Sequence, residues 1–240
     1  MSTSFDRHLF DRRLFFWIAV AFIIVSFVGF ARTYFLLPFI GGEGPPVKFI
    51  THIHALVMTL WVALFATQVY LVRSKNIKTH MRLGTAGIGL GAVVIVVGIM
   101  TAIAAAKYGS ASSPAEIPPL QFMIVPVGDI VVFTILFAAA LYYRKVPANH
   151  KRLMLLTVFN FVPAAFGRVV PLTEAIGPLW FYGAPALILL AVLAIDTWKN
   201  GTLNRIFLAG TAFVIGSQVF RLAFMSSEAW LAVARWMTGE

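Results

Sequence analysis

Runs of eighteen or more mostly apolar residues recur along this chain, separated by connections too short to fold on their own. A helix of that length crosses the roughly 30 Å hydrocarbon core of a bilayer, where every backbone N–H and C=O must be satisfied internally. Seven spans are expected, at 13–36, 49–73, 83–106, 119–143, 152–171, 177–196 and 203–225. With 60% hydrophobic and 12% charged residues in 240, the chain carries far more apolar surface than a soluble domain of this size can use. The sequence predicts an all-α, polytopic helical bundle, a single integral membrane domain over 1–240. No small-residue cleavage site follows the first run, which is expected to stay as an anchor helix. The tail 226–240, with Trp230, Leu231, Val233 and Trp236, reads as an interfacial amphipathic helix.

The spans are punctuated by Gly41-Gly42, Pro45-Pro46, Ser110 to Pro114, Pro118-Pro119, Pro147 and Asn200-Gly201, residues that stop or turn a helix. The basic residues fall in these connections with a strong bias. Arg7, Arg12, Arg13, Arg73, Lys75, Lys78, Arg82, Arg144, Lys145, Lys151, Arg152, Lys199 and Arg205 all lie on one side, thirteen of the nineteen Lys and Arg. That is the positive-inside pattern. It is expected to place the N-terminus in the cytoplasm and the C-terminus outside. The net charge of +10 then reflects topology and attraction to anionic lipid, and the partner is the bilayer rather than nucleic acid. Cysteine is absent, which excludes disulfides, thiolate catalysis, iron–sulfur clusters and covalent c-type haem. No HExxH, Walker, GxSxG or Rossmann motif is present, and no lysine lies deep in the last span for a retinal Schiff base.

Histidines mark the span ends. His52 and His54 open the second span on the outer side. His80 and His150 precede the third and fifth on the inner side, in similar settings: His80-Met81-Arg82-Leu83-Gly84 and His150-Lys151-Arg152-Leu153-Met154. This is a short internal repeat of two hairpins, and an axis along the membrane normal would set the two imidazoles at similar depth. Imidazole is the common axial ligand of haem iron and a common proton relay, so the pair could clamp one iron. A histidine beside Lys and Arg at a helix end also has a plain reading, solvated or against lipid head groups.

Ionisable groups inside a bilayer are costly and face the protein interior. Asp129 lies about ten residues into the fourth span, roughly 15 Å deep, and is expected to pair with an arginine or a histidine. Arg32, Arg168 and Arg221 lie near outer span ends, where they either snorkel to lipid phosphate or bind an anionic group. His52 and His54 point to opposite helix faces. His54 heads the stripe His54, Met58, Trp61, Phe65, Gln68, which serves equally as packing surface. A second stripe, Thr157, Asn160, Ala164 and Arg168, runs down the fifth span, where Pro163 and Pro171 loosen the helix, as Pro126 does in the fourth. Together these suggest a pocket opening outward between spans two, four, five and seven. The glycines of span three, among them Gly84, Gly87, Gly89, Gly91 and Gly98, read as close-packing positions. With one intramembrane acid, a di-metal carboxylate centre is not expected.

The order His-x-His, His-x-Arg-Leu-Gly, His-Lys-Arg-Leu-Met over residues 50 to 170 resembles a group of bacterial multi-pass membrane proteins. It is distantly similar to the helical haem-b membrane proteins, the two-haem ascorbate-reducible cytochromes b and the haem A synthases. The resemblance implies His80 and His150 as the inner ligands of a haem b and His54 or His52 as an outer ligand. Span four departs from that pattern, offering Asp129 and no histidine, which leaves one haem or an outer pocket for quinone or substrate. The expected function is electron transfer between a membrane quinone and a redox partner. His80 and His150 would hold the iron, Asp129 and His54 exchange protons, and Arg168, Arg221, Asn160 and His52 line the binding sites. Two other classes stand beside it: an accessory subunit of a larger membrane complex, and a small proton-coupled transporter working through Asp129.

Overall fold

The computed structural model describes residues 4–40, 47–109 and 116–240, with the side chains of 4–11, 170, 171 and 174 outside that description. The turns expected at Gly41-Gly42, Pro45-Pro46 and Ser110 to Pro114 lie outside the described residues, as does the Arg7 side chain. Every described element is helical. Helix α1 (Ser4–Phe30) runs into a π-helical turn, Ala31–Phe35, and the short α2 (Leu37–Ile40). Helices α3 (Phe49–Arg73) and α4 (Ile77–Tyr108) form a hairpin. Then come α5 (Pro119–Phe122), α6 (Ile124–Tyr142), α7 (Pro147–Phe159), α8 (Val162–Phe166) and α9 (Val170–Ile176). A second π turn, Leu179–Gly183, leads into α10 (Ala184–Asn200), followed by α11 (Arg205–Phe224) and α12 (Glu228–Thr238).

Among the described residues six helices are long and apolar enough to cross a bilayer: Arg12–Phe35, Phe49–Arg73, Ile77–Tyr108, Pro119–Lys145, Leu179–Asn200 and Arg205–Phe224. These are the makings of a multi-pass membrane protein. The segment expected as the fifth span, 152–171, is not among them, because it is broken. Helix α7 ends at Phe159, Asn160 and Phe161 form a turn, and α8 starts at Val162. Pro163 has no N–H for the Phe159 carbonyl four residues back, so the ladder fails where the helix stops. Pro126 acts likewise on Phe122, the last residue of α5, and Met123 separates α5 from α6.

The broken segment is also the most enclosed. Arg152, Leu153 and every residue from Leu155 to Phe159 are buried, against α6 on one side and α11 on the other. The main core joins Phe22 of α1, Phe65 of α3, Leu136 of α6, Leu156 of α7, Leu189 of α10 and Phe207 of α11. A second cluster packs Trp61 of α3 and Val94 of α4 against Phe133 and Phe137 of α6. Close approach is set by glycine. A Cβ on Gly98 would stand 2.3 Å from Ile130, and one on Gly91 2.4 Å from Phe137, the packing role expected of span three.

Exposed aromatics ring the ends of the bundle. Trp17, Tyr70, Tyr142 and Trp198 stand out near the basic connections, with Tyr108 and Trp236 at the opposite end, as belts at two membrane surfaces do. Helix α12 is amphipathic, as the tail predicts. Ser227 caps it by accepting from the Trp230 N–H, and the Trp230 Nε1–H donates to the Leu120 carbonyl of α5 at 2.8 Å.

Candidate functional site

Two polar groups of residues sit at different depths of the bundle. At the basic end the short repeat acquires a structural meaning. Asn76 caps α4 by accepting from the Thr79 N–H, so α4 starts at Ile77, earlier than the expected 83, and His80 is the fourth residue of the helix. His150 is likewise the fourth residue of α7, which starts at Pro147. The two imidazoles thus occupy equivalent positions in the first turns of α4 and α7, close enough for their charges to interact. The His150 Nδ1 lies 2.8 Å from the Ala140 carbonyl of α6. With a proton on Nδ1 that contact is a donated hydrogen bond, and it leaves the Nε2 lone pair free, the arrangement of a metal-ligating histidine. The His80 Nδ1 is enclosed and has no partner. Gln68 of α3 joins them. Its Oε1 is enclosed without a partner, and its Nε2 faces Gly84, one turn beyond His80.

Next to this pair the structure shows an ion pair that the sequence reading missed. The Arg152 Nε and Nη2 donate to Asp196 Oδ2 and Oδ1 of α10, both at 2.9 Å, and both side chains are buried. Arg152 was expected among the exposed cytoplasmic bases. It is instead the bolt between α7 and α10, because its partner acid is buried with it. The expectation of a single intramembrane acid is corrected by the same observation. The signal in the sequence was an aspartate at the end of an apolar run, in reach of a basic residue on another. Asn204, which caps α11 through the Phe207 N–H, also donates from Nδ2 to Asn149 Oδ1 at 2.9 Å. His150 therefore sits on a helix start fixed to α6, α10 and α11.

In the other half, Asp129 pairs with an arginine as expected, and that arginine is Arg221. The Arg221 Nη1 of α11 donates to Asp129 Oδ1 at 2.5 Å and to the Val125 carbonyl at 2.9 Å. Gly128 clears the way, since a Cβ there would stand 2.4 Å from Arg221 Cδ. Asn160, at the α7–α8 break, donates from Nδ2 to the Asp129 carbonyl at 2.8 Å. The Tyr182 ring lies 5.5 Å from the Arg221 guanidinium. Several enclosed polar atoms here have no partner: Trp61 Nε1, Asn160 Oδ1, Tyr182 Oη and Thr211 Oγ1. Tyr182, Thr211 and Gln218 are buried polar residues the sequence reading passed over. Thr211, Val214, Gln218 and Arg221 form one helical stripe, a periodicity that was there to find.

Arg168 has a different setting. It stacks on the Phe30 ring at 4.0 Å, its Nη1 donates to the Ala164 carbonyl, and its enclosed Nε has no partner. His54 lies within electrostatic range of it. His52 turns the other way, as two residues' separation requires, and its Nδ1 meets Tyr34 Oη of the first π turn at 2.9 Å. π-helical turns cluster at functional positions, and the two among the described residues, Ala31–Phe35 and Leu179–Gly183, lie at this end. Arg32 is exposed, in keeping with the snorkelling reading. The stripe below His54 is packing surface: Trp61 and Phe65 are buried, and Trp61 meets the rings of Phe133 and Phe137 edge-on at 5.1 and 5.5 Å.

Among the described residues no three or more His, Asp and Glu converge as a metal centre. A haem iron, whose macrocycle supplies four nitrogens, asks only two axial side chains of the protein; His80 and His150 stand at equivalent places in the first turns of α4 and α7, and a proton on His150 Nδ1 would leave its Nε2 for an iron. Compared with protein-family models, curated proteins and solved structures, the chain finds no match.

Proposed function

We propose that this chain is a membrane electron-transfer protein of haem-b type, with His80 and His150 as the axial ligands of one iron and a membrane quinone as redox partner. The observation that carries the reading is the paired placement of these histidines, each the fourth residue of its helix, with the His150 Nδ1 held by the Ala140 carbonyl. Bound there, the iron would accept and pass on single electrons. The chain's own residues orient and enclose. Ala140 fixes the His150 ring, the Arg152–Asp196 pair anchors α7, and the exposed Lys78 and Arg82 bring positive charge to the end where haem propionates would emerge. Protons accompanying quinone chemistry would move through His54 or Asp129 in the opposite half. Arg168, Arg221, Asn160 and His52 are the groups there that would bind and place the quinone.

The same reading counts the α7–α8 pair as a crossing. Residues 147–166 cover about 30 Å at 1.5 Å per residue, enough for the hydrocarbon core. That makes seven spans, with the basic end and the N-terminus in the cytoplasm of a bacterial cell and the C-terminus outside.

The test is a dithionite-reduced minus oxidised absorption spectrum of protein purified from haem-replete cells, repeated for His80→Ala and His150→Ala. Sharp b-type bands lost in both variants are the expected result. A featureless spectrum from the unaltered chain sinks the proposal. A small proton-coupled transporter is the second reading, favoured by the interruption of α7 at Asn160 and the tie from Asn160 to the Asp129 backbone. Proton-coupled flux that survives Asp129→Asn removes it.

A further inference from the structure

A groove of about 620 Å³ runs between α6 and α11 on the outer face of the bundle, closed at one end by Trp230 of α12. It lies outside the pocket expected between spans two, four, five and seven. Its walls are apolar, with Val131 and Ile135 from α6 and Phe213 and Phe220 from α11, all exposed. On the membrane-facing surface of a multi-pass protein, such a groove is open sideways to lipid. Its size is that of a small-molecule site, about 300–1,000 Å³.

What distinguishes it from ordinary lipid-facing surface is its floor. Gly128 and Arg221 both line the groove, at the point where the Arg221 side chain passes over the bare Gly128 backbone to reach Asp129. A guanidinium carries five N–H donors. In Arg221, Nε donates to the Ser217 carbonyl at 3.1 Å, and Nη1 serves the Val125 carbonyl and Asp129. Nη2 has two N–H groups and a single long contact, 3.4 Å to Ser217 Oγ. One N–H is left over. The charge is not left over, because Asp129 neutralises it. A phosphate head group would need net positive charge at this spot, whereas a neutral carbonyl needs one free donor and nothing more.

A neutral carbonyl at the head of a long apolar chain is the chemistry of a prenylated quinone. We propose that this groove seats the quinone, its ring carbonyl accepting from Arg221 Nη2 and its tail running past Val131 and Ile135 toward the middle of the bilayer. The inference rests on the quinone half of the reading above and takes Arg221, among the groups named there, as the one that meets the quinone carbonyl, from the α6–α11 face.

The test is photolabelling of the full chain in lipid nanodiscs with an azido-quinone, with decylubiquinone as competitor and the label mapped by peptide mass spectrometry. Gly216→Leu blocks the groove. Gly216 lines it, and a Cβ there meets nothing within 4 Å, so the substitution fills space without a backbone clash. Gly89→Leu on α4, equally unobstructed and remote from the groove, is the control. The expected result is competable label on peptides covering 124–135 and 212–221, unchanged in Gly89→Leu and at least tenfold weaker in Gly216→Leu. Circular dichroism and the thermal midpoint show whether Gly216→Leu is folded, and a second block, Val131→Trp, gives the same expectation from the opposite wall. Label that is not competable, that ignores both blocks, or that is displaced by anionic phosphatidylglycerol overturns the proposal, the last by assigning the groove to a phospholipid. The readout is independent of haem: groove-dependent label on a chain without b-type bands would keep this site and remove the haem.

Discussion

Arg152 and Asp196 meet through two parallel hydrogen bonds of 2.9 Å, fork to fork, at the start of the most buried helix of the bundle. Two further contacts hold the pair: Arg152 Nη1 donates to the Ala148 carbonyl at 2.6 Å, and Asn200 Nδ2 donates to Asp196 Oδ1 at 3.2 Å. Removing one member of such a pair leaves the other charged and buried, at a cost of about 3–5 kcal/mol. Asp196→Ala is therefore expected to lower the unfolding free energy in detergent by that order. The double variant Arg152→Met with Asp196→Leu should recover much of the loss, since it buries no orphan charge. Equal losses in the single and double variants would show that the cost is not that of an orphaned charge.

Gln68 gives a prediction of opposite sign. Its Oε1 is enclosed with no partner, and an unpaired buried polar atom costs about 1–3 kcal/mol. Gln68→Leu is expected to leave the thermal midpoint of the haem-free chain unchanged or to raise it. In the haem-loaded chain the same variant should shift the midpoint potential, because Gln68 stands beside His80. A large fall in stability without haem would mean that the amide already has a partner.

Most of the architecture was legible because apolar length and basic loops are strong signals. The hairpin of α3 and α4, the amphipathic α12 and the pairing of Asp129 all follow from composition along the chain. What stayed hidden required knowledge of distance. Arg152 looks in sequence like any base of a positive-inside loop, and only Asp196, 44 residues later, makes it a core residue. The fifth span contained its own warning in Pro163, but a proline reports where a ladder breaks and not whether the helix resumes on the same axis. His80 and His150 were visible as a repeat. That both occupy the fourth position of a helix depended on the Asn76 cap of α4 and on Pro147 as the first residue of α7, which a hydropathy pattern does not register.

Glycine packing on α4 separates two kinds of position. At Gly98 a methyl group would meet Ile130 at 2.3 Å, whereas at Gly89 it meets nothing within 4 Å. Gly98→Ala is expected to destabilise by about 1–3 kcal/mol through overpacking. Gly89→Ala should be neutral or stabilising by up to about 1 kcal/mol, since alanine loses less backbone entropy in a helix. Thermal unfolding of the two variants in one detergent checks the contrast. Equal effects would mean that α4 and α6 are not packed as described.

The broken α7–α8 segment decides the topology, and the absence of cysteine makes it easy to test, because any single introduced cysteine is the sole thiol. If residues 147–166 cross the membrane, Lys75, Lys145 and Asn200 all share a side: Lys75 and Lys145 are separated from each other by α4 and α6, and Lys145 from Asn200 by the broken segment and α10. Two crossings separate each neighbouring pair, so with the segment counted all three return to the cytoplasmic side, and without it Asn200 moves to the outside. Lys75→Cys, Lys145→Cys and Asn200→Cys are therefore expected to resist a membrane-impermeant maleimide in intact cells, while Lys48→Cys and Ser226→Cys react. Labelling of Asn200→Cys from outside, with Lys75→Cys and Lys145→Cys protected, would leave six spans and put His150 on a helix that enters the membrane without crossing it.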